Sequence, residues 1–394
     1  MTNRDNEACE SRVNKNEIVE LLAALVRADS SNPPGNEREV ARIVQKKFEE
    51  YGMHSQVDDL DGINRANLVA RLTGAGSSPH LVYCAHADVV PAAKENWTHD
   101  PFRGEIEGNL MYGRGTVDMK SGLAAMAMSL CILKKAGIKL NGSLALVLTA
   151  GEEVHFFGSR EYVKKYGVED IDALAISEPT NNEVCLAERG GLWIKFIARG
   201  RTAHGGLPEK GVNALLQMLK FLEVFRLFEF PVQPHPLLGK PSLSVTTLHA
   251  GRNTNVIPDH CEATVDMRTI PYLPHGKILS AIDDIIKTMR EKDPAFRIEY
   301  EILNNHDPIE TEKDEPFVQT AFEIHRKVFG RRAEPGGVHY MTDAVSFLDK
   351  KRIPLVICGP GDPNLNHQPD EHVDLIQVVD SVRFYTALAV NFLK

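Results

Sequence analysis

Four short segments of the chain place titratable side chains where an apolar run ends, and a fifth places one just before such a run. His86 closes a strand-like run in Ala85-His86-Ala87-Asp88-Val89-Val90-Pro91. A His two residues before an Asp puts both side chains on one face of extended chain, so Asp88 can hold or orient the imidazole. Asp118 lies in Tyr112-Gly113-Arg114-Gly115-Thr116-Val117-Asp118-Met119-Lys120, directly before an Ala- and Met-rich stretch. Two glycines this close imply special backbone angles or a close approach. Their spacing fits neither the dinucleotide fingerprint nor a phosphate-binding P-loop. Glu152 and Glu153 follow the apolar run Ser143 to Leu148 in Thr149-Ala150-Gly151-Glu152-Glu153, and Glu178 follows another in Ile176-Ser177-Glu178-Pro179-Thr180. His367 comes after the last buried run, in Asn366-His367-Gln368-Pro369-Asp370-Glu371.

Each of these has a plain structural reading. A His-x-Asp at a strand end is often structural, Asp118 could be a helix N-cap, and adjacent glutamates could form a solvated surface pair. Taken together, two histidines and three or four carboxylates at strand ends form a ligand set suited to divalent zinc, manganese or cobalt. The set exceeds what one tetrahedral ion needs, so a bridging acid and two ions is the natural count. The spare acid beside a ligand acid is then the candidate general base.

The elements that must position these residues can be read from periodicity. Ile18, Leu21, Leu22, Leu25 and Val26 fall at helical spacing, and that helix stops before Ser30-Ser31-Asn32-Pro33-Pro34-Gly35. A second helix is predicted over 36–51 and a third over 121–136, between apolar runs at 80–84 and 143–148. Strands that alternate with helices and are apolar on both faces predict an α/β sheet covered on both sides. From 188 to 303 the order changes to strand (192–199), helix (211–228), strand (242–249), strand (260–268), helix (276–291), strand (296–303). That is a split β-α-β-β-α-β unit of ferredoxin-like type. Val245, Thr247, Cys261, Ala263 and Val265 alternate as expected when one sheet face is covered. The predicted organisation is a catalytic domain over 1–187, an inserted domain over 188–303, and the rest of the catalytic domain over 304–394.

Composition excludes several classes. The chain has 394 residues, 43% hydrophobic and 25% charged, which suits a folded globular protein of two or three units. A net charge of -9 argues against general nucleic-acid binding, and no stretch approaches the length of a membrane span. The six cysteines are scattered, four of them inside apolar runs, so neither a zinc ribbon nor a disulfide framework is expected. The N-terminal segment does not read as a signal peptide, and a cytoplasmic location is expected.

The combined motifs resemble the family of acetylornithine deacetylases, succinyl-diaminopimelate desuccinylases, aminoacylases and glutamate carboxypeptidases. The segments around His86, Asp118 and Glu152 carry the likeness. Glu178-Pro179-Thr180, Ala203-His204-Gly205, Asn255-Val256-Ile257-Pro258 and His367 continue it in the same order from Asn32 onward. The resemblance implies a mixed-sheet catalytic domain of zinc-aminopeptidase type interrupted by a ferredoxin-like α+β lid and dimerisation domain. By the same resemblance His86, Asp118 and Glu178 would hold one metal ion, and His367, Glu153 and the bridging Asp118 a second. Zinc is the leading choice, with cobalt or manganese as substitutes. Glu152 would be the general base, Asp88 would orient His86, and His204 would reach across a homodimer to the oxyanion. Asn255, Arg268 and Arg189 would contact substrate, Arg268 at a carboxylate. Read alone, His204 is a solvated loop residue, Asn255 a turn former and Arg268 a surface residue.

Two departures from the family pattern matter. The desuccinylase branch typically carries a second Arg where this chain has Glu188, and Gly205-Gly206 replace small hydroxyl residues after His204. The first weakens the case for a dicarboxylic acyl group. The expected activity is a metal-dependent deacylase acting on a small-molecule N-acyl amino acid. The alternatives are a dipeptidase or carboxypeptidase, a deacylase of another N-acyl amine, and a catalytically dead ligand-binding dimer.

Overall fold

The computed structural model describes residues 3–60 and 64–394. The chain divides into two compact units. The larger runs to Leu186 and resumes over Thr311–Gly336 and Thr342–Lys394, while the smaller comprises Ala187–Glu310 and Gly337–Met341.

Eight strands open the larger unit: β1 (Ser55–Asp59), β2 (Ala66–Leu72), β3 (His80–His86), β4 (Glu105–Glu107), β5 (Leu110–Tyr112), β6 (Ser143–Thr149), β7 (Ala173–Pro179) and β8 (Cys185–Glu188). Its main sheet runs β1-β2-β6-β3-β7, then the strand Leu355–Gly359, then β8. The four central strands β6, β3, β7 and Leu355–Gly359 are mutually parallel. Nearly every residue in them is buried, which explains why their sequences read as continuous apolar runs without alternation. β1 and β2 add antiparallel at one edge. A small separate sheet pairs β4, β5 and His372–Asp374.

The predicted helices form with small changes at their ends. Lys15–Arg27 buries Ile18, Leu21, Leu22, Leu25 and Val26, and Asn14 caps it by accepting from the Asn16 amide. The Ala- and Met-rich helix is Lys120–Lys135, and its buried positions lie all around its circumference. A helix with no solvent face must be narrow where it meets other backbone. Gly122 meets that need, because a Cβ there would lie 2.2 Å from the carbonyl oxygen of Ser177 in β7.

The smaller unit contains β9 (Gly190–Arg199), β10 (Ser242–Ala250), β11 (His260–Thr269) and β12 (Ile298–His306), with helices Ala214–Phe225 and His275–Lys292. Its antiparallel order is β10-β11-β9-β12, the order of a ferredoxin-like sheet. Phe196, Phe221, Phe225, Val265 and Ile282 are among the residues of its own core. β11 alternates as predicted, with Cys261, Ala263 and Val265 buried. β10 does not follow the expected alternation. It is an edge strand with an irregularity between Val245 and Thr247, and Val245 is exposed.

No helix among the described residues is long and apolar enough to cross a membrane. All six cysteines are free thiols and buried.

The seat of Gly122 on Ser177 leads to a stability prediction. Gly122→Ala should destabilise the protein by about 1–3 kcal/mol through overpacking, read as a lower denaturation midpoint. An unchanged unfolding free energy would show that the helix is not held at that distance.

Candidate metal centre

The parallel strands deliver the predicted residues to one end of the sheet, where sites of α/β proteins gather. His86 is the last residue of β3, and Glu178 is the penultimate residue of β7. Glu152 and Glu153 follow β6 after a turn at Gly151, and His367 lies in the loop after Leu355–Gly359. Asp118 arrives from the other direction, on the loop from β5 into Lys120–Lys135. Gly115 in that loop has φ +86°, and a Cβ there would sit 2.7 Å from a methyl of Val89. Asp118 is not the N-cap of the helix, since Met119 holds that position without a side-chain hydrogen bond.

The side chains meet around Asp118. Its Oδ1 lies 3.0 Å from His86 Nε2, and that nitrogen is 3.5 Å from Glu178 Oε1. Its Oδ2 lies 3.3 Å from His367 Nε2, and that nitrogen is 3.2 Å from Glu153 Oε1. Donor atoms of His86, Asp118 and Glu153 all fall within 4.8 Å of one another. Two imidazole–carboxylate groups therefore share one aspartate, each on a different oxygen. The Nδ1 of His86 faces the backbone carbonyl of Asp88 at 3.0 Å. With a metal ion at the site, donation from that Nδ1–H would leave the Nε2 lone pair for the ion.

The electrostatics show what the pocket suits. Burial would raise the Asp118 carboxyl, but hydrogen bonds from His367 and His86 outweigh it and hold it low. Burial, helped by the charge of Asp118, pushes Glu178 up to about 7. Burial likewise lifts Glu152 well above the usual carboxylate range, against the pull of His86. Hydrogen bonds to Asp118 and Glu153 raise His367 to about 10. Asp118, Glu152, Glu153 and Glu178 thus crowd a poorly solvated space, with His86 and His367 as counter-charges. Divalent cations are the complementary occupants, and the oxygen and imidazole donors fit them.

Asp88 does more than face His86. Its carboxylate stands 3.7 Å from Nδ1, and instead accepts from the backbone amides of Gly151 at 2.9 Å, Glu152 at 3.1 Å and Glu153 at 3.2 Å. Asn32 donates at 2.9 Å to Oδ2, the oxygen that also accepts from Glu153. The turn that presents Glu152 and Glu153 is thereby hung on one buried carboxylate. Asn67 of β2 braces the same turn, accepting from Ala150 N and donating to the Gly158 carbonyl. Sequence reasoning passed over Asn32, Asn67 and the buried Asp343, whose Oδ2 accepts from Thr149 at the end of β6. A single Asn or Asp outside a patterned segment carries no mark of the partner it meets.

The other predicted residues lie in the smaller unit. His204 and Asn255 are exposed and belong to adjacent loops that zip together: Gly205 N donates to Asn255 O at 2.7 Å, and His204 bridges Val256. Gly205 allows this approach, since a Cβ would lie 3.1 Å from the Asn255 carbonyl oxygen. Arg268 on β11 is 2.9 Å from Asp266 through Nε, with its guanidinium 5.8 Å from the Trp193 ring. Arg189 spends Nη2 on the carbonyls of Leu238 and Lys240, at 2.7 and 2.9 Å.

A parallel sheet whose carboxyl edge gathers acids and imidazoles around a shared aspartate defines a metallohydrolase. The chain belongs to Peptidase family M20/M25/M40, whose model matches residues 82–391. A "probable succinyl-diaminopimelate desuccinylase" of Staphylococcus aureus is 28% identical over 407 residues, covering 96% of this chain and 98% of the relative. The aminopeptidase PepT structure from Bacillus cereus superposes with a TM-score of 0.77 at 20% identity, covering 97% of this chain and 100% of that one. An M20 family metallo-carboxypeptidase from Sulfolobus solfataricus gives 0.77 at 17% identity, over 96% and 98%. A Bacillus subtilis protein described as a dinuclear metal binding peptidase gives 0.73 at 14% identity, over 96% and 98%. At these identities the solved structures speak for the fold.

The hydrogen bonds of Asp88 yield a prediction. Asp88→Asn places an amide against backbone N–H donors, and each hydrogen bond to a charged group contributes about 1.5–3 kcal/mol. The variant should unfold at lower denaturant and bind metal roughly 10- to 100-fold more weakly, through the displaced Glu153. Wild-type values in both measurements would remove Asp88 from its supporting role.

Proposed function

We propose that the protein is a two-metal amidohydrolase that removes a small acyl group from an N-acyl amino acid. The observation that carries this reading is the shared aspartate with an acid to spare. His86, Asp118 and Glu178 would hold one ion and His367, Glu153 and Asp118 the other, which leaves Glu152 outside both groups. Bound there, zinc or a similar ion supplies Lewis-acid polarisation and lowers the pKa of water toward neutrality. Glu152 takes a proton from the water that attacks the amide carbonyl and returns it to the leaving amine. The half-buried carboxyl of Glu152, lifted above its usual range, suits a group that must both accept and release a proton near neutral pH. No covalent enzyme intermediate is required.

The smaller unit serves as lid and dimerisation domain in this reading. β10 is an edge strand exposed along most of its length, and Leu216 and Leu219 stand exposed on the helix Ala214–Phe225. An open strand edge and exposed apolar side chains in one unit suit a second copy of the chain. His204 then donates to the oxyanion in the other copy, beside Asn255, and Arg268 and Arg189 give the substrate carboxylate its positive partners. The full-length likeness to relatives described as desuccinylases supports deacylation. Glu188, buried next to Arg189, supports a small neutral acyl group over a dicarboxylic one.

Three measurements test this reading. Hydrolysis of N-formyl, N-acetyl, N-succinyl and N-carbamoyl amino acids alongside dipeptides should favour a small acyl group, and preference for dipeptides would overturn the substrate class. Glu152→Gln should lose roughly two to four decades in turnover with its metal content intact, and loss of metal would make Glu152 a ligand. His204→Ala should lower turnover by roughly two to three decades. Mixing it with excess Glu152→Ala protein should restore activity. Mixed dimers that form, as shown by mass, yet stay inactive would refute donation across the dimer.

A further inference from the structure

We infer that Arg114 and Glu371 are positioning residues that lock the His367 loop to the Asp118 loop, and so set the affinity of the ion held by Asp118, Glu153 and His367. The inference rests on the two-metal reading above. Its starting point is local pairing: His372–Asp374 runs antiparallel to β5, with His372 opposite Tyr112, and the Gly113 amide donates to the Glu371 carbonyl at 2.8 Å. This places Glu371 beside the glycine-containing loop that leads to Asp118. Both side chains are buried, Glu371 fully and Arg114 at 3% exposure.

Their polar contacts go to the two ligand-bearing loops. Arg114 Nη1 pairs with Glu371 Oε2, and Nη2 donates to the backbone carbonyl of His367 itself at 3.2 Å. The second carboxylate oxygen, Oε1, accepts from the amides of Val117 at 2.7 Å and Asp118 at 3.1 Å. The carboxylate thus grips the backbone of the shared aspartate, and the guanidinium grips the backbone of the histidine across from it. Trp97 covers the guanidinium at 5.2 Å, and Asp370 pins the Trp97 loop by accepting from the amides of Thr98 and His99.

The His367 loop needs such a clamp. His367 and Asp370 have φ of +63° and +53°, left-handed values that strain non-glycine residues and persist where surroundings fix them. His367 is also the most exposed of the five ligand candidates, with 47% of its side chain open to solvent, so side-chain packing does not hold it. A buried ion pair is a weak device for stability alone, because desolvation offsets much of its attraction. Here it fixes the separation of two loops far apart in sequence. Neither residue meets the reacting atoms.

The test is Co2+ titration of the metal-free full chain, followed by calorimetry and visible absorption. Wild type should take up two ions. Arg114→Met should weaken one of them roughly 10- to 100-fold, with partial recovery in Arg114→Lys. The other ion should stay within about twofold of wild type. In a His367→Ala background, adding Arg114→Met should cost no more than about a further twofold, because both changes act on one ion. Thermal unfolding of the metal-free variants reports the fold. If Arg114→Met alone does not fold, Arg114→Met/Glu371→Gln, which leaves no unpaired buried charge, takes its place in each comparison. Equal weakening of both ions, unchanged affinity for both, or losses that multiply with His367→Ala would each overturn the inference. If wild type takes up fewer than two ions, the two-metal reading falls and this inference with it. If wild type takes up two and the variants match it, only this inference falls.

Discussion

Everything in the larger unit depends on keeping four carboxylates together in a space with little water. Asp118, Glu152, Glu153 and Glu178 repel one another, and His86 and His367 stand among them with the opposite tendency. A flexible scaffold would relieve that repulsion by moving apart. The fold prevents it by carrying the acids on three separate segments, the Asp118 loop, the Glu152–Glu153 turn and β7, and tying those segments together beneath the site. The crowding makes the pocket receptive to divalent cations, and the shared use of both Asp118 oxygens divides it into two halves.

The ties are of two physical kinds. Backbone close approach is one: the helix Lys120–Lys135 rests on β7 through Gly122, so the loop carrying Asp118 is registered against the strand carrying Glu178. Buried carboxylates that accept backbone amides are the other. Asp88 holds the Glu152–Glu153 turn, and Glu371 holds the Asp118 loop. In both cases an acid that faces amides supports an acid that faces the site. Hydrogen bonds to a charged acceptor strengthen where water is scarce.

The smaller unit is organised differently. Its core of Phe196, Phe221 and Phe225 lies within its own sheet and helices, and the residues of functional interest sit on its loops and one strand face. His204 and Asn255 are brought together by backbone pairing between their loops, without a core beneath them. Such loops can move more readily than strand ends, which suits the substrate contacts proposed for them.

Sequence alone determined the class of fold and singled out the acids and histidines that gather at the carboxyl edge of the sheet. The parallel strands are buried on both faces, so their apolar runs could be seen directly, and the acids and histidines that interrupt those runs stood out at strand ends. The β-α-β-β-α-β order of the insertion was equally readable from changes of period. Tertiary structure decided what no spacing could encode. It settled that β10 is an edge with Val245 exposed, because burial of a strand depends on its neighbours and not on its own alternation. It showed that Asp88 supports a turn 63 residues away through its carboxylate and faces His86 through its carbonyl. It joined Arg114 to Glu371 across 257 positions. Local sequence records the conformations a segment prefers and where its apolar face lies. Which buried polar groups will satisfy one another is fixed only when the chain closes, since each partner is supplied by a segment whose own pattern gives no sign of the other.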